Sequence, residues 1–181
     1  MPIALFLIVL GVFSRLIPHP DNFVALGAIA LFAGAKLPKR WAFVVPLSIY
    51  VLSDVVIDSF FRQGYDFNLP TRLTSYAAFT LIVLLGRWKA GETDPVGLAA
   101  KSVTGSTLFF LASNFAVWMG GPGEGLGYPH TLAGLGATYA AGVPFFGNSL
   151  TADLLGTAVL FGFAALYESH KSPAKMVDKL A

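Results

Sequence analysis

Apolar residues run along this chain in continuous blocks, separated by short polar or Pro-rich breaks. Six blocks stand out: Pro2 to Ile17, Phe23 to Ala35, Trp41 to Ile57, Leu73 to Trp88, Ala99 to Trp118 and Ser149 to Tyr167. Each is apolar on most sides, as a lipid-embedded helix should be, rather than on a single stripe. The pattern predicts an all-α membrane protein, a bundle of six transmembrane helices forming one integral membrane domain over residues 1–181. A further segment, Thr131 to Val143, is about 13 residues long, rich in Gly and Ala, and bounded by Pro129 and Pro144. It predicts a short extra helix in the last outer loop, in or near the outer leaflet.

The first two blocks are short for spans. Ile3 to Ile17 supplies about 15 usable residues and Phe23 to Ala35 fewer, whereas a hydrocarbon core of ~30 Å asks for roughly 20. They are joined by Arg15-Leu-Ile-Pro18-His19-Pro20-Asp21-Asn22-Phe23. Short spans joined by a Pro-rich polar turn predict a turn below the membrane surface, where irregular backbone survives only if protein or trapped water covers it. Interrupted spans of this kind often mark transporter binding sites.

Composition narrows the class. The chain has 55% hydrophobic and 12% charged residues and a mean hydropathy of +0.68, against roughly 25% charged in soluble chains. A net charge of +2, with no basic patch interleaved with aromatics, gives no case for nucleic acid. The absence of cysteine excludes disulfides, thiolate nucleophiles and Cys-ligated metals. The N-terminus lacks a basic region and an A-x-A cleavage site, so the first block reads as a retained span.

The basic residues set the orientation. With six spans, one side carries Lys36, Lys39, Arg40, Arg87, Lys89, Lys101, Lys171, Lys175 and Lys179, and the other only Arg15, Arg62 and Arg72. Both termini are therefore expected in the cytoplasm. The long, chemically varied connections, Asp58 to Arg72 and Met119 to Asn148, then face outward.

Several polar residues fall within or beside the spans. Asp54 lies about one turn inside the outer end of the third span, with Asp58 four residues on along the same face. Asp153 lies about one turn into the sixth, and Ser113-Asn114 precede Trp118 by one turn in the fifth. Carboxylates inside a span usually face a bundle interior or cavity. They serve either as structural partners, for instance of Arg15 or a helix end, or as ligand contacts. His19 and His130 fall on the outer side, but nothing in their spacing suggests a metal site. No metal or cofactor is expected. Asn148-Ser149 before an apolar run reads first as a helix N-cap. Trp41, Trp88 and Trp118 suit the membrane interfaces. The run Gly120 to His130 holds five glycines in eight positions and reads as a flexible lid or a plain outer loop. It lacks the lysine and preceding strand of a phosphate loop. Ala30-x-x-x-Gly34 is a small-xxx-small pair that permits close helix packing.

Arg15-Leu-Ile-Pro-His-Pro-Asp-Asn22, Ser113-Asn-Phe-Ala-Val-Trp118, Tyr128-Pro-His-Thr131, Tyr139, and Pro144-Phe-Phe-Gly-Asn148 with Asp153 together resemble an uncharacterised bacterial family of six-span membrane proteins. The resemblance covers nearly the whole chain, although that family usually has a second proline where Asp21 stands. Its members look like the substrate-binding S-components of energy-coupling-factor vitamin transporters. The resemblance implies a subunit of the bacterial inner membrane that binds a small, vitamin-like nutrient near the outer side of the bundle. It also implies either pairing with a transmembrane coupling subunit driven by ATPases, since no ATP site is encoded here, or, as proposed for a subset of such proteins, action alone. Arg15, His19, Asn22, Asp54, Asn114, Trp118, Tyr128, His130, Tyr139, Phe146, Asn148 and Asp153 are the expected substrate-binding residues, the rings (with Phe23 and Phe145) enclosing an aromatic or heterocyclic solute and the polar groups orienting it. Two other readings stand beside this one: an intramembrane enzyme pairing Asp54 with Asp153, and a structural subunit of a larger membrane complex.

Overall fold

The computed structural model describes residues 2–60, 69–90, 94–120 and 127–177, the side chains of 69, 70 and 171–177 excepted. Among the described residues there are six helices and no strand: α1 (Pro2–Leu16), α2 (Leu26–Lys36), α3 (Lys39–Phe60), α4 (Leu69–Arg87), α5 (Pro95–Gly120) and α6 (Leu132–Val177). The glycine-rich segment 121–126 and the loop residues 61–68 lie outside them.

The all-helical expectation holds, but the count of spans does not. Three helices, α3, α5 and α6, are long and apolar enough to cross a membrane, consistent with a membrane protein, and the others are not. The reasons are visible in each. At 15 and 11 residues, α1 and α2 reach only about 22 and 16 Å at 1.5 Å per residue. The first half of α4 carries Thr71, Arg72, Thr74, Ser75 and Tyr76, which lowers its hydropathy.

The separate outer helix is also corrected. Residues 131–143 are not an independent element but the beginning of α6, a helix of 46 residues, about 69 Å long. Its N-cap is Thr131, whose Oγ1 accepts the Gly134 N–H at 3.0 Å. Asn148-Ser149 lie mid-helix and cap nothing there. Pro144 removes one backbone donor yet does not end the helix, because α5 holds both sides of it. Phe110 packs on Tyr139 before the proline and on Phe146 after it, at centroid distances of 5.6 and 4.8 Å.

At the centre lies α2, which touches every other helix. Each residue from Leu26 to Gly34 is buried, so this short helix has no outward face at all. Around it run α3, α4, α5 and α6, with α1 packed on α3. Large apolar side chains cover the outside instead, including Phe6, Phe13, Phe60, Leu132 and Phe163, each more than 60% exposed. Such a surface is foreign to a water-soluble monomer.

The crossing of α2 and α4 depends on two glycines. A Cβ on Gly34 would stand 2.2 Å from the Val83 carbonyl oxygen, and one on Gly86 would stand 2.2 Å from that of Leu31. The backbones meet with nothing between them, as small-residue helix pairs permit, and the Ala30-x-x-x-Gly34 pair lies on this buried helix. The basic end of the bundle also assembles. Lys36 on α2 pairs with Glu168 on α6 at 2.9 Å, and the buried Lys101 on α5 donates to the Trp88 carbonyl after α4 at 2.7 Å.

Gly34→Ala should therefore lower the thermal unfolding temperature of the detergent-solubilised protein, with an overpacking cost of about 2 kcal/mol. Gly136→Ala, where a Cβ meets nothing within 4 Å, should not lower it and should raise it slightly, since Ala favours the helix over Gly.

Candidate functional site

The turn between α1 and α2 is built by its own residues. Phe23 N–H donates to the Pro20 carbonyl at 2.9 Å, closing a four-residue turn. Its third residue, Asn22, has φ 60°, a left-handed value that Asn tolerates better than most residues. The turn is then tied to α6: Asn148 Nδ2 donates to the Asp21 carbonyl at 2.9 Å, and the Ser149 hydroxyl to the Asn22 carbonyl at 3.2 Å. Asn148-Ser149 are thus a latch on the turn.

The start of α2 is held from the same side. Its N-cap residue, Ala25, offers no side-chain hydrogen bond, so the first N–H groups need partners from elsewhere. Asp153 supplies them. Its Oδ1 accepts the Ala28 N–H at 3.0 Å and the carboxylate also accepts from Gly27, while Oδ2 accepts the Ser106 hydroxyl at 2.7 Å. Gly27 makes room for this contact, since a Cβ there would lie 2.3 Å from Oδ2.

A charged cluster closes the neighbouring corner. Arg15 Nη1 meets Asp54 Oδ1 at 2.8 Å, Arg72 Nη1 meets Asp54 Oδ2 at 3.0 Å, and Arg72 Nη2 meets Asp58 Oδ2 at 2.5 Å. Arg15 also donates to the Ser53 hydroxyl at 2.5 Å and lies 4.3 Å from the Tyr50 ring centroid. Two arginines and two carboxylates balance, so the cluster joins α1, α3 and α4 without net charge.

Two adjoining cavities open between these features. One, of about 90 Å³, is lined by Arg15, Asn22, Tyr50, Phe109, Ser149 and Asp153, with apolar neighbours from α2 and α4. The other, of about 270 Å³, is lined by Asn22, Tyr50, Phe109 and Ser149 again, and by Ser75, Ser106, Phe110, Ser113, Asn114, Thr138, Phe145 and Phe146. The four shared residues make them one hollow with two lobes. Among the described residues no charged side chain lines the larger lobe. It offers aromatic faces, hydroxyls and amides.

The expected site residues divide accordingly. Arg15, Asn22 and Asp153 line the small lobe; Asn22, Asn114 and Phe146 line the large one. Within its own helix the Asn114 amide donates to the Phe110 carbonyl at 2.8 Å. Its Oδ1 faces Gly142, where a Cβ would come within 2.4 Å. The others do not converge there. Asp54 is taken up by the arginines and Asn148 by the turn. His19 bonds the Pro20 carbonyl at 2.7 Å. Tyr139 donates to the Leu111 carbonyl at 3.0 Å, behind the wall. Trp118 and His130 form a clasp across the α5–α6 connection, Trp118 Nε1 donating to the Pro129 carbonyl at 3.0 Å and His130 Nε2 bonding the Met119 carbonyl at 3.1 Å. Tyr128 is half-buried beside that clasp and lines neither lobe. Asp54 and Asp153 are committed to different partners, which leaves a facing dyad unassembled.

Tyr50, Phe109, Phe110, Ser106 and Ser149 carry much of the lining, and Arg72 half of the ion network, yet sequence reasoning chose none of them as site residues. A signal existed in α5, where Ser106, Phe110, Ser113 and Val117 recur at three- and four-residue steps on one face.

Asp54→Ala should leave Arg15 without its carboxylate and Arg72 with Asp58 alone, and destabilise the protein by about 3 kcal/mol, in the range for breaking a buried ion pair. Adding Arg15→Met and Arg72→Met should recover most of that loss in thermal unfolding.

Residues 1–175 match a family of unknown function (DUF6580). No curated protein and no solved structure matches the chain.

Proposed function

The chain belongs to that family of unknown function, and we propose that it is a substrate-binding membrane protein that takes up a small nutrient through the two-lobed hollow. The observation that carries this reading is the lining itself. Distant parts of the chain, from Arg15 to Asp153, bring aromatic rings and a few polar groups around one space, all of them neutral in the large lobe. The lobes measure about 270 and 90 Å³, against small-molecule sites of roughly 300–1,000 Å³ that are mostly apolar with a few placed polar groups. Phe109, Phe110 and Phe146 suit a flat aromatic or heterocyclic solute. Asn22, Asn114 and the serine hydroxyls offer it donors and acceptors without charge.

The protein is multi-pass in this reading, in the bacterial inner membrane, with the Lys-rich end cytoplasmic. The hollow lies at the other end, beside a turn whose backbone is covered by α6, as irregular backbone at membrane depth requires. A transmembrane coupling subunit with ATPases is one energy source that the resemblance to S-components offers; action of the chain alone is the other.

Native mass spectrometry of the gently solubilised protein should show a bound small molecule that leaves unaltered. Asn114→Ala should lower its affinity about tenfold, the equivalent of one hydrogen bond of about 1.4 kcal/mol, with membrane insertion intact. A protein that emerges empty, or an Asn114→Ala variant that retains full occupancy, overturns the assignment. The chain has no native cysteine, so orientation is tested separately. Gly127→Cys should react with a membrane-impermeant maleimide on intact cells, and Lys39→Cys only after the cells are opened.

A further inference from the structure

Asp153 is buried, yet among the described residues no cation pairs with it. The groups that face it are few. α2 presents only the Gly27 and Ala28 N–H groups, and α4 presents Phe79 and Ile82 across the small lobe. Also across that lobe stand Arg15, held by Asp54, and the Tyr50 ring. α5 presents the Ser106 hydroxyl, its Lys101 being turned to the Trp88 carbonyl.

The Ser106 hydroxyl is placed for either state of this acid. Its oxygen lies 2.7 Å from Asp153 Oδ2 and 3.1 Å from the Ser102 carbonyl, and it has one hydrogen to give. When Asp153 is ionised, that hydrogen goes to the carboxylate. When Asp153 is protonated, the acid O–H donates to Ser106, which turns its own hydrogen to the Ser102 carbonyl. Neither state leaves a broken hydrogen bond.

One helical turn further on, Ser102 and Thr157 lie on the same faces as Ser106 and Asp153. Both are over 95% buried, and among the described residues neither hydroxyl has a hydrogen-bond partner. That is unlike Ser106, Thr107, Thr138 and Thr151, which bond back to their own helices. Thr157 in turn lines a second hollow of about 330 Å³ at the basic end of the bundle, with Leu98, Phe161, Lys36 and Glu168. Asp153 thus stands between two hollows at opposite ends, with unsatisfied hydroxyls on one side of it.

We infer that Asp153 is a proton-coupling site. A proton from water in the turn-side hollow joins the carboxylate, and the same proton leaves past Ser102 and Thr157 to water in the basic-end hollow. Protonation also removes the charge that grips α2 beside Asn22, which links proton occupancy to the wall of the solute hollow. The inference rests on reading that hollow as the solute site. It gives the chain an energy source of its own, in place of the ATPases that the resemblance implies.

The test uses the full chain in vesicles that trap pyranine, with potassium and valinomycin clamping the potential, and no solute. After an external acid pulse the lumen should acidify faster than in protein-free vesicles. Asp153→Asn should fall to the protein-free rate, and Ser102→Ala with Thr157→Val should slow the flux severalfold. Because Asp153→Asn also touches α2, infrared spectra of the unaltered protein provide a second readout. A protonated-carboxyl band that shifts with carbon-13 aspartate should grow as pH falls and be missing from Asp153→Asn. Wild-type flux at the protein-free rate, equal flux in Asp153→Asn, or no titrating band each overturns the inference. Since no solute is present, such a failure is distinct from failure to find a bound metabolite.

Discussion

A helix that begins inside a bundle must find partners for its first N–H groups among other protein atoms. In this molecule that requirement falls on α2, which starts beside the hollow, is covered on all sides, and has no capping side chain of its own. Asp153 meets it from α6, 125 residues along the chain from Ala28. The contact needs Gly27 on one side and Ser106 on the other. Once it forms, the turn before α2 is fixed as well, because Asn148 and Ser149 on the same helix bind the Asp21 and Asn22 carbonyls. One helix therefore anchors both the start of α2 and Asn22, which borders both lobes of the hollow.

The second constraint is charge. Arg15 is brought inward by a helix too short to carry it clear of the bundle, and it is neutralised where it lands. Asp54 does this while also accepting Arg72, so the ends of α1, α3 and α4 are tied in one cluster. The carboxylates thus fall into two kinds. Asp54 is spent on holding helices together, whereas Asp153 has hydroxyl and amide partners only. The large lobe, bordered by both regions, is itself lined by neutral groups.

The block pattern made the all-helical class legible, and the shortness of the first two blocks foretold the interrupted helix pair and the turn between them. Asn114 and Asp153 stood out because polar residues are conspicuous in apolar runs, and Asn22 because it lies in the Pro-rich turn between two short blocks. What was not legible followed from packing. Pro144 and Asn148-Ser149 look like a break and a new start, yet α5 packs continuously along that stretch and overrides the local signal. Trp118 and His130 resembled ligand contacts because they adjoin a polar segment. Their partners are backbone carbonyls across a connection, which no composition rule identifies. Tyr50 and Phe109 were hidden by being aromatic residues among many, and only the packing of α3 and α5 on α4, where both rings meet Phe79, selects them.

The wholly enclosed position of α2 has a consequence for how the protein is made. A helix of 11 residues without a lipid-facing side gains little from entering the bilayer alone. The acid that receives its first amides is synthesised only when the last helix emerges. The second segment therefore stays without its final partners until α6 has been made and closes over it.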